Sequence, residues 1–300
     1  MDFKGKTALI TGGVSGIGFG IARAFAAAGM DLVLTYRNAE YQAQAAAWFR
    51  QRGGRPPRFV TLDVTDRQRW REVADAVGPI DVLVNNAGVS VFGPTDTASY
   101  ADYDWIMGVN FGGVVNGLVT FIPRLKAQGA GGHIVNVASM AAYLSGPQAG
   151  IYTASKFAVR GLTESLRFNL APHGIGVSLV CPGLTRTNAW DSALRRPAGF
   201  ADSGFPPTER AELERFGTAF EAGMDPLEVG EKTLAGMRQN RALIFTHPEF
   251  ADDFDEIHRA SRAALPKEPV PEGRQRIERL RRAANAAAAA GKQIHLDDLS

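Results

Sequence analysis

The feature that most restricts how this chain can fold is a repeated alternation. Short runs rich in Val, Ile and Leu occur at 7–11 (TALIT), 31–36 (DLVLTY), 58–64 (RFVTLDV), 81–85 (DVLVN), 133–139 (HIVNVAS), 176–182 (GVSLVCP) and 242–246 (ALIFT). Between them lie helical patterns at 17–28, 39–52, 66–77, 103–127, 151–171 and 226–239. The runs do not alternate cleanly between apolar and polar residues, so each strand expects cover on both faces, as in a parallel sheet. Parallel neighbours need a crossover, and the helical segments supply one each time. The expected fold is α/β, a doubly wound parallel sheet in a single domain.

Two regions break the rhythm. Residues 188–224 form a long insertion, and insertions of this length in α/β folds are usually lids or binding loops. From 248 the chain continues as a helical pattern, passes through PKEPVPEG and enters RQRIERLRRAANAAAAAGK. Across 259–292 there are nine Lys/Arg against three Glu. That run reads either as a contact for a polyanion or, as charge runs more often prove, as an exposed helix docked on its own domain or a neighbouring subunit. We therefore expect a main domain over 1–247, with 188–224 as its substrate-binding lid, and a helical, basic extension over 248–300.

Composition narrows the partners. A net charge of +2 gives no reason to expect nucleic acid or a membrane surface. The N-terminal MDFKGKTALITGG has no apolar run fit for a signal peptide. No stretch of about 18 apolar residues suggests a membrane span. The lone Cys181 excludes an intramolecular disulfide and a cysteine-rich metal site, which suits a reducing cytoplasm. No His/Cys/carboxylate set has metal-ligand spacing, so no metal is expected. Cys181 reads as a small buried hydrophobe, and His133 and His173 as turn-capping or surface residues rather than catalytic ones.

TGGVSGIG (11–18) follows the first apolar run directly and opens the first helical pattern. Glycines there permit a tight turn, and a helix N-terminus offers free N–H groups to a pyrophosphate. The spacing Gly12-x-x-x-Gly16-x-Gly18 differs from the usual G-x-G-x-x-G. Folds that prefer NAD place an acidic residue about 20 residues downstream, on the ribose 2′-hydroxyl. Here the second run ends in Tyr36, Arg37 and Asn38, and the first carboxylate is Glu40. An arginine can form charge-assisted bonds to a 2′-phosphate, so NADP(H) is expected, unless Arg37 merely faces solvent.

In IYTASKFAVRG (151–161), Tyr152 and Lys156 share a helix face, with Cβ atoms roughly 5–6 Å apart. A phenol, with a reference pKa near 10, is a poor proton carrier at neutral pH, and a fixed cation beside it favours its ionised form. Taken alone the pair reads as a solvated amphipathic face.

Its context decides. TGGVSGIG (11–18), LDV (62–64), NNAG (85–88), GVN (108–110), NVAS (136–139), YTASK (152–156) and PGLTRT (182–187) occur in one order that closely resembles the motif series of the short-chain dehydrogenase/reductase family. The likeness covers about 4–190, and 225–247 more loosely. It implies a Rossmann-like core and hydride transfer between a nicotinamide and a carbonyl or alcohol. Tyr152 matches the family's acid/base, and Lys156 the lysine that binds the nicotinamide ribose and favours tyrosine ionisation. Ser139 matches the residue that orients the substrate oxygen. Asn110 matches the asparagine that helps hold a proton-relay water. For the cofactor, the likeness implies Gly12, Val14, Ser15, Gly16, Ile17 and Gly18 in the turn, then Tyr36, Arg37 and Asn38. Asp63 and Val64 follow around the adenine, and Asn86, Ala87 and Gly88 along the cleft. Pro182, Gly183, Thr185 and Thr187 lie by the carboxamide, although Thr185 stands where the family often has an apolar residue. Homodimers or homotetramers are usual in the family.

Several stretches, among them YADYDWIMGVNFGGVVNGLVTFIPRL and IGVSLVCPGLTRTN, resemble one branch more closely. These are the bacterial aryl-alcohol Cα-dehydrogenases that act on lignin-derived β-aryl ethers. This implies a benzylic secondary alcohol and its aryl ketone as the substrate pair. Phe92, Tyr143, Trp190 and Phe200 are the expected lining of a mostly apolar pocket. A β-keto thioester or steroid-like ketone would suit the same machinery. A non-catalytic NADPH-sensing protein is the rival from another class; it would be free to lose Ser139, Tyr152 or Lys156, and all three are present.

Overall fold

Among the described residues, seven short strands hydrogen-bond in the order β3-β2-β1-β4-β5-β6-β7, every neighbouring pair parallel. They are β1 (Thr7–Ile10), β2 (Asp31–Tyr36), β3 (Arg58–Thr61), β4 (Val82–Asn85), β5 (Gly132–Val137), β6 (Ile175–Cys181) and β7 (Leu243–Phe245). The computed structural model describes residues 2–207, 209–295 and 297. The crossovers are α1 (Gly16–Ala27), α2 (Ala39–Arg52), α3 (Arg67–Val77), α4 (Tyr100–Met107), α5 (Gly113–Gln128) and α6 (Gly150–Leu170). After β6 come α7 (Arg210–Ala219) and α8 (Pro226–Arg238), and after β7 come α9 (Ala251–Ala263) and α10 (Glu272–Ala289).

Side chains alternate across each strand, so the sheet feeds two cores. Leu9, Val33, Leu83, Ile134 and Leu179 join one core with Trp70 of α3, Phe121 of α5 and Val159 of α6. Ala8, Leu34, Val84, Val135 and Val180 join the other with Ile21 and Phe25 of α1 and Met237 of α8. Burial on both faces explains why the strands read as continuous apolar runs.

The segment expected as one helix over 103–127 is three pieces: α4, a π turn at Gly108–Gly112, and α5. The whole run Tyr100–Gln128 is long and apolar enough to cross a membrane by length and composition, and half of its most apolar window is buried inside the fold. Trp105, Ile106, Phe121 and Leu125 are its buried anchors.

The insertion folds into turns of 3-10 helix at Ala189–Arg195, Ala198–Phe200 and Phe220–Ala222, with α7 between the last two. In the tail, Ala284 and Ala288 of α10 are buried against α6, so this helix docks on its own domain while its arginines stay exposed. His133, expected in a turn-capping or surface role, is instead fully buried within β5, where Ser178 Oγ, 2.8 Å from Nε2, gives it a polar partner. Burial, and then the charge of Arg167, pushes its pKa down to about 4. Burial likewise pushes the Cys181 thiol up to about 12, as expected for a structural cysteine.

Helices α1 and α8 meet backbone to backbone. A Cβ on Gly20 would fall 1.9 Å from Pro226 O, and one on Gly230 would fall 2.3 Å from Gly20 O. This contact seats α8, which delivers the chain to β7. Gly20→Ala must separate the two helices. Overpacking of this kind costs about 1–3 kcal/mol or more, which corresponds to a fall in Tm of several degrees. Thermal unfolding followed by circular dichroism tests this.

Candidate active site

Strand order reverses between β1 and β4, the position at which open α/β sheets leave a crevice beyond their carboxyl ends. The loops after these strands are tied together there. Thr11 Oγ1 accepts the N–H groups of Asn86 (2.8 Å) and Ala87 (3.0 Å), and Asn86 Nδ2 donates to Thr11 O at 2.9 Å. The glycine-rich turn packs against this tie. A Cβ on Gly18 would lie 2.3 Å from Gly12 O and 2.4 Å from Asn86 Nδ2, so any other residue would push α1 off the turn. Ser15, at the N-cap of α1, makes no side-chain capping bond.

A single cleft runs along this rim. Gly12, Val14, Ser15, Gly16, Ile17, Tyr36, Arg37, Asn38, Asp63, Val64, Asn86, Ala87, Gly88, Tyr152, Lys156 and Thr187 all line it. Gly18 lies beneath the turn. A dinucleotide fits this arrangement, because one continuous groove joins the glycine turn to the tyrosine–lysine pair. Asn38 spends its side chain on capping α2, accepting from Glu40 N (2.8 Å) and Tyr41 N (3.2 Å).

Arg37 does not simply face solvent. Its Nη1 bonds Asp63 Oδ2 at 3.0 Å, with both side chains roughly half exposed. Desolvation works to raise the Asp63 pKa, but the Thr65 N–H, the Thr65 hydroxyl and Arg37 together hold it below the ordinary carboxylate value. The pair fixes a guanidinium at the mouth of the cleft, where β2 and β3 end.

At the other end, Lys156 is buried, with Nζ 3.2 Å from Val137 O and 5.6 Å from the centre of the Tyr152 ring. Asn110 sits in the π turn between α4 and α5. It accepts Val89 N at 2.8 Å and donates to Val89 O at 3.0 Å and to Ser155 Oγ at 3.1 Å. Ser155 Oγ in turn donates to Tyr152 O at 2.6 Å, which links Asn110 to the backbone of α6. Gly88 lies between Asn110 and Lys156, where a Cβ would stand 3.1 Å from Asn110 Oδ1 and 3.7 Å from Lys156 Nζ. Ser139 caps the 3-10 turn after β5, accepting Ala141 N at 3.1 Å, with its hydroxyl 3.5 Å from Pro182 O. Thr185 turns inward: its Oγ1 donates to Gly183 O at 3.2 Å, and its backbone bridges Met224.

The expected pocket residues separate. Phe92 lies 6.3 Å from the Tyr152 ring and 5.3 Å from Phe216 of α7, which stacks on Phe220 at 5.5 Å. Trp190 departs from expectation. It packs on Gly217 and lines a hollow with Phe19, Trp48 and Phe220 that adjoins the cleft across Val14, Ser15, Gly16 and Thr187. A 3-10 helix repeats every three residues, so Ala189, Ser192 and Arg195 face the cleft together while Trp190 faces away. Phe200 is half-buried against the core rather than in the cleft. Tyr143 belongs to a cluster with Phe245 and Phe254 under Arg160, which stands 3.8 Å over its ring; burial pushes its pKa up to about 12. Arg195, absent from the sequence reading, bonds Tyr41 OH at 2.9 Å and Asn188 O at 3.1 Å and pairs with Asp191.

The insertion is stapled to α4 by a buried carboxylate. Asp102 of α4, fully buried, pairs with Arg196 at 2.6 Å and accepts from Ser203 Oγ (2.7 Å), Gly204 N (2.9 Å) and Ser99 N (2.9 Å). Arg196 also lies 4.7 Å over the Trp105 ring.

Comparison with known proteins agrees with this architecture. The model of the short chain dehydrogenase family matches residues 6–197. A C alpha-dehydrogenase of Sphingobium sp. strain SYK-6 is 36% identical over 286 residues, 93% of this chain and 93% of that protein. An NADP-dependent (R)-specific alcohol dehydrogenase of Lentilactobacillus kefiri is 35% identical over 61% of this chain and 75% of its own length. The crystal structure of a short chain dehydrogenase/reductase from Burkholderia phymatum in complex with NAD superposes with a TM-score of 0.81. It has 33% identity and covers 90% of this chain and 99% of that one. The chain belongs to the short-chain dehydrogenase/reductase family, oxidoreductases that act on alcohols and ketones with a nicotinamide cofactor.

The staple has a measurable pH signature. Burial works to raise the Asp102 pKa, but the bonds from Ser99, Ser203, Gly204 and Arg196 outweigh it and hold it at about 2, against an ordinary 3.8. Its contribution to stability is therefore present above about pH 4 and lost as the pH falls through about 2. Asp102→Ala leaves Arg196 without its partner at any pH, at a cost of about 3–5 kcal/mol. Denaturant unfolding of the variant beside the parent, from pH 7 to pH 3, should show a large gap at neutral pH that narrows with acid.

Proposed function

We propose that this chain is an NADP(H)-dependent oxidoreductase that interconverts a secondary alcohol and a ketone, with a bulky aromatic or hydrophobic substrate. One observation carries the reading: Tyr152 and Lys156 line the same cleft as the glycine-rich turn and the Arg37–Asp63 pair. The turn at Gly12–Ile17 would cradle the pyrophosphate, and Arg37 would take the 2′-phosphate. Asp63 and Val64 would flank the adenine, and Asn86, Ala87 and Gly88 would run along the dinucleotide. Lys156 would grip the nicotinamide ribose, and Pro182, Gly183 and Thr187 would border the carboxamide. When bound, the cofactor gives a hydride to the carbonyl carbon or takes one from the alcohol.

The chain's own residues then manage the oxygen. During reduction, negative charge grows on it, and hydrogen bonds from Ser139 and Tyr152 stabilise that charge. Tyr152 delivers the proton as general acid, and in the oxidising direction it accepts the proton. Lys156 Nζ stands 5.6 Å from the centre of the Tyr152 ring, on the same stretch of α6. Asn110, tied through Ser155 to the backbone of Tyr152, keeps this part of α6 in place and would help hold the water that resupplies the proton. Phe92, with its ring 6.3 Å from that of Tyr152, and Phe216 beside it present partly exposed aromatic surface next to the acid/base, which suits an aryl ring on the substrate. The likeness to the C alpha-dehydrogenase points the same way.

The test follows nicotinamide absorbance with aryl ketones and matching benzylic alcohols, each with NADPH/NADP and with NADH/NAD. Turnover is expected with an aryl ketone and NADPH, and Tyr152→Phe should abolish it. Arg37→Ala should raise the KM for NADPH roughly 10- to 100-fold, the loss expected for charge-assisted bonds, and leave that for NADH within about twofold. Equal effects on both cofactors would overturn the 2′-phosphate role. NADPH binding without turnover of any ketone, thioester and steroid substrates included, would favour a sensor.

A further inference from the structure

His247 follows the edge strand β7 and is buried, 6% exposed. Its ring binds two backbone groups of the segment that leaves β6. Gly183 N donates to Nδ1 at 2.9 Å, and Nε2 lies 2.8 Å from Leu184 O. Thr246 Oγ1 also approaches Nδ1, at 2.7 Å. An amide N–H can only donate and a carbonyl can only accept. Nδ1 is therefore bare, Nε2 carries the proton, and the ring is neutral. A proton on Nδ1 would face the Gly183 N–H directly.

The same short segment is the root of the insertion. Leu184 O accepts Met224 N at 3.0 Å, Arg186 N donates to Met224 O at 2.9 Å, and Thr185 bridges Met224. The outgoing and returning legs of 188–224 are thus joined where His247 holds the chain. Phe250 backs the ring at a centroid distance of 6.5 Å. A Cβ on Gly183 would come within 2.7 Å of Phe250 and 2.9 Å of His247, so the loop lies flat against this post. Ser139, which stands beside Pro182 O, borders the same segment.

We propose that His247 is a positioning residue. Acting from outside the cleft, its neutral imidazole fixes Gly183 and Leu184. It thereby sets the path of residues 182–187 past the reacting end of the cleft and holds the root of the insertion. The effect on turnover rests on the proposed function; the anchoring does not.

Three variants of the full chain carry the test: His247→Phe keeps a ring but neither bond, His247→Gln keeps a donor for Leu184 O, and Tyr152→Phe is the catalytic blank. Limited trypsin cleavage at Arg186 and Arg195, read by mass spectrometry, reports the attachment of the insertion without any turnover. NADPH titration by fluorescence and steady-state kinetics complete the set. For His247→Phe, cleavage should accelerate roughly tenfold or more and kcat should fall by a similar factor, while NADPH affinity stays within about threefold, as the loss of two buried bonds outside the cleft predicts. His247→Gln should fall between. Cleavage and kcat both at the parent level in His247→Phe would overturn the proposal. If His247→Phe does not fold, nitrogen-15 spectra of the parent's histidines decide: a His247 ring bare at Nδ1 supports the anchor, and one protonated there overturns it. A parent silent on every substrate, with His247→Phe cleaved faster, would remove the proposed function and leave the anchor standing.

Discussion

Parallel strands cannot be joined by a tight turn, and most of this molecule follows from that constraint. Each neighbour in the sheet must be reached by a crossover, so every strand ends on the same rim and every loop that follows a strand emerges there. Where the order reverses, between β1 and β4, the loops depart in opposite directions and leave a crevice. The glycine-rich turn, the Asn86–Gly88 loop, the β2 and β3 ends with Arg37 and Asp63, and Tyr152 and Lys156 on α6 all converge on that crevice. None of them needs to be near another in the chain.

A crevice between diverging loops has to be held open at a defined width. Here backbone-directed polar side chains do so from beneath, as Thr11 ties the β1 and β4 loops and Asn110 ties the β4 loop to α6. Deeper still, Asn85 bonds Asn136 at 2.8 Å, and Asn136 bonds Thr163 at 2.9 Å, across β4, β5 and α6. Such groups are expensive to bury unpaired and rigid when paired, so the floor of the site is stiff. The insertion is fastened differently. Asp102 grips the insertion from α4, and His247 grips its root from β7. The cleft thus rests on a floor of short buried bonds, and the insertion beside it is held at two distant points.

Much of this could be read in advance, and the misses have definite causes. The strands and helices lie close to their expected bounds, because burial on both sheet faces writes apolar runs and helix packing writes periodicity. The π turn at Gly108–Gly112 is not legible in GVNFG because its glycines fit close helix packing equally well, and the turn itself is only a change in hydrogen-bond register. A large aromatic in an insertion suggests a pocket wall, but three-residue periodicity turns Ala189, Ser192 and Arg195 to the cleft and Trp190 onto Gly217. Phe216, seated beside Phe92, lay in a helix whose orientation no local pattern reveals.

The chain alone determined what is written within a few residues: the order of strand and helix, the turn that only glycine permits, and a tyrosine and a lysine one helical turn apart. Those are local because backbone geometry and side-chain periodicity act over short spans. Partnerships across the chain were left to the folded sheet. Arg37 meets Asp63 across 26 residues, His247 meets Gly183 across 64, and Ser203 meets Asp102 across 101. A salt bridge or an imidazole anchor depends on distances of about 3 Å, and only the packing of strands and helices into one rim brings such remote positions that close.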